Sequence, residues 1–189
     1  MTRRRILEVA RELFFRDGYT ATTLKGVAVE AGVAVQTVYA VFGSKSAILG
    51  ELRAMVVNLP EADRAMRDAA TEPTVERRLA GFAHSIRKRW ELAGDIVRVN
   101  EDAARADPSI RAGVAAAQAR RHGGIASFVQ ALADDLAAEI DVERAAAIVN
   151  ALTLYDVYAE LVGVHGWRPD AYQRWLAEQL VSGVAPASA

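Results

Sequence analysis

Residues 22–45 read TTLKGVAVEAGVAVQTVYAVFGSK, and the way this stretch is punctuated decides the fold. Thr22 and Thr23 offer hydroxyls that can cap a helix start, and the pattern predicts a short helix over Leu24 to Ala31. Gly32 interrupts it. A very short second helix follows from Val35 to Val41, and Gly43-Ser44 breaks the chain again before Lys45. Two helices joined by a tight, glycine-containing turn make a helix-turn-helix. Val27, Ala28, Val33 and Val38 supply the small apolar contacts that let its helices cross closely. A helix of about two turns is not stable alone, so something must require it. Presenting side chains to the major groove of DNA is such a requirement.

On this second helix Val35, Gln36, Thr37, Tyr39 and Ala40 are free to face outward. A glutamine can pair bidentately with adenine, threonine brings a hydroxyl and a methyl, and valine or alanine can meet a thymine methyl. Tyr39 can donate its hydroxyl to a phosphate. Lys45, beside the start of the next helix, combines a positive side chain with free backbone amides, which suits a phosphate. Thr23, at the earlier helix start, can do the same on the other side.

Working outward, a first helix spans about Thr2 to Arg16, with Ile6, Ala10, Leu13 and Phe14 on one face, and Asp17-Gly18-Tyr19 ends it. Beyond the motif, Ser46 begins a helix through Ile48, Leu49, Leu52 and Val56 that Pro60 stops. Residues 60–73 are polar and bounded by prolines, hence a linker or a short exposed helix. Four longer helical segments and a last one follow. The first carries Val75, Leu79, Phe82, Ile86 and Trp90, and the second spans about Asp95 to Ala106. The third runs from Ser109 towards Ala138 with Ile110, Val114, Ala117, Arg121, Ile125, Phe128 and Leu132, and its Gly123-Gly124 pair is a bend or a close-packing point. The fourth covers about Val142 to Val162 and the last Asp170 to about Ser182. No stretch alternates as a strand does.

Composition agrees. The 189 residues include 38 alanines, the best intrinsic helix former, against 5 prolines and 13 glycines. With hydrophobic residues at 52%, the chain can bury a sizeable core. The absence of cysteine removes disulfides, thiolate metal sites and cysteine nucleophiles, and no apolar run reaches the length of a membrane span. A cytoplasmic protein without a membrane partner is expected. Net charge is −1, yet its distribution is uneven. Residues 1–50 hold 7 basic side chains (Arg3, Arg4, Arg5, Arg11, Arg16, Lys25, Lys45) against 4 acidic ones (Glu8, Glu12, Asp17, Glu30). A basic head on a slightly acidic body suits a nucleic-acid reader.

From Phe14-Phe15 through Gly18-Tyr19, Thr22-Thr23, Ala31-Gly32-Val33, Thr37-Val38-Tyr39, Phe42 and Gly43-Ser44-Lys45, the chain resembles the DNA-binding head of TetR-type transcriptional regulators. The resemblance covers about the first fifty residues, and the rest matches only in layout. It implies an all-α fold: a three-helix DNA-binding domain over residues 1–50, with its motif at about 23–42, and a larger helical domain over residues 51–189 that binds a ligand and dimerises. Three positions depart from the family pattern. Ala34 stands where a serine commonly caps the recognition helix, Ala40 where a larger polar side chain is frequent, and Gly26 where an acidic residue would complete a capping box.

The expected partners are therefore double-stranded operator DNA, a small-molecule effector that is largely apolar, and a second copy of the chain, with no cofactor. Candidates to line an effector cavity are Phe82, Trp90, Asn100, His122, Phe128, Tyr155 and Tyr158, apolar surfaces with a few orienting polar groups. Trp90 and Tyr155 are preferred by their place in the family layout. Candidates for a dimeric four-helix bundle are Val149, Leu152, Asp156 and Tyr158 on one helix and Tyr172, Trp175, Leu176 and Leu180 on another. No catalytic arrangement stands out, since His84, His122 and His165 are far apart and no phosphate-binding or nucleophile motif occurs. The alternative is a helical small-molecule-binding protein or enzyme whose N-terminal helices are only a packing module.

Overall fold

The computed structural model describes residues 2–57 and 59–186. Its helices are α1 (Thr2–Asp17), α2 (Leu24–Ala31), α3 (Val35–Phe42), α4 (Lys45–Val57), α5 (Pro60–Ala70), α6 (Val75–Ala106), α7 (Pro108–Gln130), α8 (Val142–Leu152), α9 (Tyr155–Tyr158) and α10 (Pro169–Val184). A 3-10 turn over Ala133–Asp135 follows α7, and a π-helical stretch over Ala159–Val164 continues α9. No strand occurs among the described residues. The all-α expectation holds.

Of the two forms expected for the segment after Pro60, the short helix is the one present, with the proline at its first position, where a missing N–H is harmless. Three boundaries differ from the sequence reading. Residues 75–106 form one unbroken helix of 32 residues instead of two, because a lone Gly94 costs about 1 kcal/mol and a long helix absorbs that. α7 ends at Gln130, earlier than expected. The helix begun at Val142 stops at Thr153, whose hydroxyl bonds its own Val149 carbonyl at 2.6 Å, and the chain resumes at an angle of 44°.

The helices segregate into two compact units. One comprises residues up to 57 together with 93–117, the other residues 59–92 together with 118–186. The head expected at residues 1–50 lies within the first unit, which extends beyond it. Its core gathers Ile6, Leu13 and Phe14 from α1, Val27 from α2, Val38 and Phe42 from α3, and Ile48, Leu49 and Leu52 from α4. The last turns of α6 and the first of α7 complete it with Ile96, Val99, Ala103 and Ile110. Two polar ties fasten these helices to the head. Arg11 grips Asp95 through two bonds of 2.6 Å, and Arg53 donates to Asn100 at 2.9 Å.

In the second unit, α6 buries Leu79, Phe82, Ile86 and Trp90, and α10 buries Tyr172, Leu176, Leu180 and Val184. α8 packs on α10. The end of α5 can lie close to α6 because Gly81 has no side chain: a Cβ there would stand 2.7 Å from that of Ala69. Arg89 ties α6 to Asp63 of α5 at 2.8 Å.

Candidate DNA-reading surface and ligand site

The geometry of the helix-turn-helix follows from two glycines and one threonine. Thr23 accepts the Gly26 N–H at 3.0 Å and so starts α2. Gly32 ends it in the left-handed region (φ 68°), returning its N–H to the carbonyls of Ala28 and Val29, a conformation that disfavours a side chain. The chain then turns through 113° into α3. Ala34 opens α3 without a side-chain cap, as its sequence position implied.

α3 is anchored by Val38 and Phe42, both buried. Gln36, Tyr39 and Ala40 are exposed, Tyr39 at 55% despite its size. Thr37 is half-buried, and Val35 packs partly against the core. Thus Gln36 and Tyr39 face solvent freely, whereas Val35 reaches outward with only part of its surface.

Lys45 points inward. Its ammonium donates to the carbonyls of Tyr19 (2.6 Å), Thr22 (2.9 Å) and Thr20 (3.3 Å) and lies 4.3 Å from the centre of the Tyr19 ring. A lysine has three N–H donors, and all three are engaged in holding the α1–α2 loop. Burial lowers its pKa, with the Asp107 charge opposing. Tyr19, missed by the sequence reading, donates its hydroxyl to Asp107 at 3.2 Å. Burial first, then that carboxylate, pushes the phenol up to about 12. Asp107 itself is held below the usual carboxylate range, mainly by the hydroxyl and amide of Ser109. Arg3 is tied down too, by Glu51 and by the Val41 carbonyl at 3.3 Å, with its guanidinium 4.8 Å from the Phe42 ring centre.

The second unit brings together only part of the expected ligand set. Phe82 and Phe128 stack at 4.3 Å as a core pair. Trp90 meets Tyr155 edge-on at 5.6 Å, Tyr155 lies 6.3 Å from Tyr158, and Tyr158 meets Tyr172 at 5.0 Å. Two expected residues stand apart. Asn100 belongs to the first unit, where it accepts from Arg53 and donates to the Ile96 carbonyl at 2.9 Å, while His122 is exposed.

Arg121 is a positioning residue the sequence hinted at, being a charge within an apolar stripe. It donates to the Asn150 side chain and carbonyl, both at 3.0 Å, and to Thr153 at 2.8 Å. It thereby covers the open end of α8, where carbonyls lack helical partners.

The dimer set also divides. Val149, Tyr172, Leu176 and Leu180 are completely buried within this one chain. They hold α8 and α10 in their own unit and are not available to a second copy. Leu152 and Trp175 are half-buried and Asp156 is exposed. Near them Leu154, Val164 and Trp167 expose apolar surface.

Among the described residues no group of three or more His, Asp or Glu converges as metal ligands would. No single helix is long and apolar enough to cross a membrane.

Residues 6–52 match the family model described as bacterial regulatory proteins, tetR family. No curated protein matches the chain in sequence. Solved structures do share the fold over nearly the whole length. A putative transcriptional regulator from Saccharomonospora viridis, in complex with choline, is 25% identical, with 97% of each chain covered and a TM-score of 0.74. The regulator FadR from Bacillus subtilis, in complex with stearoyl-CoA, is 19% identical, with 95% of this chain and 98% of that one covered and a TM-score of 0.74. The ketosteroid regulator KstR2 of Mycobacterium tuberculosis is 21% identical, with 98% and 95% covered and a TM-score of 0.72.

Proposed function

We propose that the chain, whose residues 6–52 match the model of the tetR family of bacterial regulatory proteins, reads operator DNA as a dimer and releases it when a small molecule binds. The exposed face of α3 carries this reading. A two-turn helix keeps Gln36 and a large aromatic, Tyr39, in solvent, although burying Tyr39 would stabilise the isolated protein. Gln36 reads a base edge, and Tyr39 and Thr23 position the helix against phosphates. Thr37 and Val35 contribute through the parts of their surfaces left open.

Residues 1–50 then supply the DNA-binding segment and the remainder the effector and dimer functions. A second copy docks on the apolar surface left by Leu152, Leu154, Trp167 and Trp175. Two heads about 34–36 Å apart read successive major grooves of a pseudo-palindrome. The effector site centres on Trp90, Tyr155 and Tyr158, and the structures of similar fold solved with choline and with stearoyl-CoA support the existence of an effector. The effector needs only a preference of about 1–3 kcal/mol for the conformation that fits DNA badly.

A mobility-shift assay with the DNA upstream of the chain's own gene tests the reading. Retardation at low salt is expected, and its absence would overturn it. In a binding-site selection, Gln36→Ala relaxes the preference at one position per half-site. Unchanged selectivity would remove Gln36 from base reading.

A further inference from the structure

Residues 142–164 contain no proline, and their single glycine is Gly163, so the sequence favours one continuous helix there. The structure breaks it between Leu152 and Tyr155 and turns the chain by 44°. Such a break costs hydrogen bonds on both sides. The last carbonyls of α8 and the first amides of α9 lose their helical partners, and Leu154 gives α9 no side-chain cap. In a continuous helix the Leu154 N–H would pair with the Asn150 carbonyl, four residues back. Here it faces the Ala151 carbonyl at a weak 3.5 Å.

Arg121 of α7 takes the vacated acceptor. Its Nη2 donates to the Asn150 carbonyl at 3.0 Å and to the Thr153 hydroxyl at 2.8 Å, and its Nη1 donates to the Asn150 side-chain oxygen at 3.0 Å. Both residues that receive it are fixed in turn. The Asn150 amide donates to the Ala146 carbonyl at 2.9 Å, and the fully buried Thr153 donates its hydroxyl to the Val149 carbonyl at 2.6 Å. A planar guanidinium fork suits three acceptors held this way. The departure from helix is local. Leu154 keeps a helical φ of −62°, but its ψ of 147° is far from the helical value of about −42°.

The direction of α9 matters because α9 carries Tyr155 and Tyr158. With the break in place, Tyr155 meets Trp90 edge-on at 5.6 Å and Tyr158 meets Tyr172 at 5.0 Å. Turning Leu154 to a helical ψ would swing both rings away together. We propose that Arg121 is a latch: a positioning residue that holds α8 and α9 in the broken form and so aims Tyr155 at Trp90, and without which the segment closes into one helix. Its bearing on effector binding rests on the effector reading above, whereas the latch itself does not.

Arg121→Met keeps the apolar stem and removes the donors. In the full chain, the amides of Leu154 and Tyr155 then exchange about tenfold more slowly as they gain helical acceptors. In protein labelled with 5-fluorotryptophan, the Trp90 fluorine resonance shifts. Adding Asp156→Pro reverses both effects. Proline is tolerated in the first turn of α9 but breaks a continuous helix, so Arg121→Met/Asp156→Pro regains the natural exchange rates and the natural Trp90 signal. The proline restores none of the bonds of Arg121, so a loss of stability alone would not be rescued. Where Arg121→Met melts too early to be measured, the double variant recovers a cooperative transition. The proposal is overturned if the two amides of Arg121→Met exchange as fast as in the natural chain or faster. It is overturned equally if the double variant recovers neither signal nor transition, or if Asp156→Pro alone displaces the Trp90 resonance. Neither readout involves DNA or an effector, so failure of the effector reading leaves the latch untouched.

Discussion

Replacing Lys45 with methionine keeps the apolar stem and deletes three N–H donors. The bonds to the Tyr19 and Thr22 carbonyls, at 2.6 and 2.9 Å, are partly buried, whereas the one to Thr20, at 3.3 Å, is exposed and counts for little. A bond from a charged donor is worth about 1.5–3 kcal/mol when buried, and water replaces part of each here, so the two together contribute about 1–2 kcal/mol. The cation over the Tyr19 ring adds about 0.5–1 kcal/mol. Relief of the ammonium's burial, visible in its lowered pKa, offsets part of this. The net loss is about 2 kcal/mol, or roughly 4–8 °C in Tm for a chain of this size. Thermal melting without DNA measures this loss, and the salt dependence of operator affinity measures the competing role. A phosphate contact at Lys45 would take about 0.9 per head from the slope of log affinity against log salt. An unchanged Tm together with that drop in slope would refute the inward assignment and restore Lys45 to the DNA surface.

Other perturbations follow from single local features. Ala34→Ser supplies the missing cap of α3 and should stabilise by about 0.5–2 kcal/mol. Hydrogen exchange of the α3 amides reads this, and unaltered protection would mean that packing already fixes the helix start. Gly81→Ala gains about 1 kcal/mol of helix propensity but drives a methyl against Ala69, and overpacking costs about 1–3 kcal/mol. Its urea midpoint should therefore fall, whereas Gly123→Ala, with nothing within 4 Å, should raise it. The reverse order would contradict the close approach at Gly81. Tyr19 stays neutral in the fold up to about pH 12, so its contribution is complete below the ordinary phenol value near 10 and fades as pH climbs towards 12. Across that window the natural chain should lose stability relative to Tyr19→Phe, and parallel curves would show that the phenol is not shifted.

The helix-turn-helix was legible because its signals are local. Gly32 and Gly43 set its ends, Thr23 starts it, and apolar spacing selects Val38 and Phe42 for the core. The body is written less locally. No glycine or proline marks the stop of α8 at Thr153, since that end is made by Arg121 reaching across from α7. Spacing identifies Val149, Leu176 and Leu180 as apolar-facing but cannot tell whether they face their own chain or another. Here they face their own. Lys45 shows the same limit: a lysine beside a helix start suits a phosphate, and only the folded α1–α2 loop reveals three carbonyls converging on its ammonium.

The shortness of α3 also sets how much information the protein can extract from DNA. Its eight residues span about 12 Å at 1.5 Å per residue, which is roughly four base pairs at 3.4 Å each. Arg3, at the same end of the head, is tied to Glu51 and Val41. In the proposed dimer two heads would read roughly eight base pairs, and a given eight-letter word recurs about once in 65,000 positions, many times over in the roughly 10⁶ or more competing sites of a genome. Base contacts alone cannot single out one operator. In that dimer the remaining selectivity would come from the fixed spacing between paired heads and from the stiffness of the DNA between the half-sites.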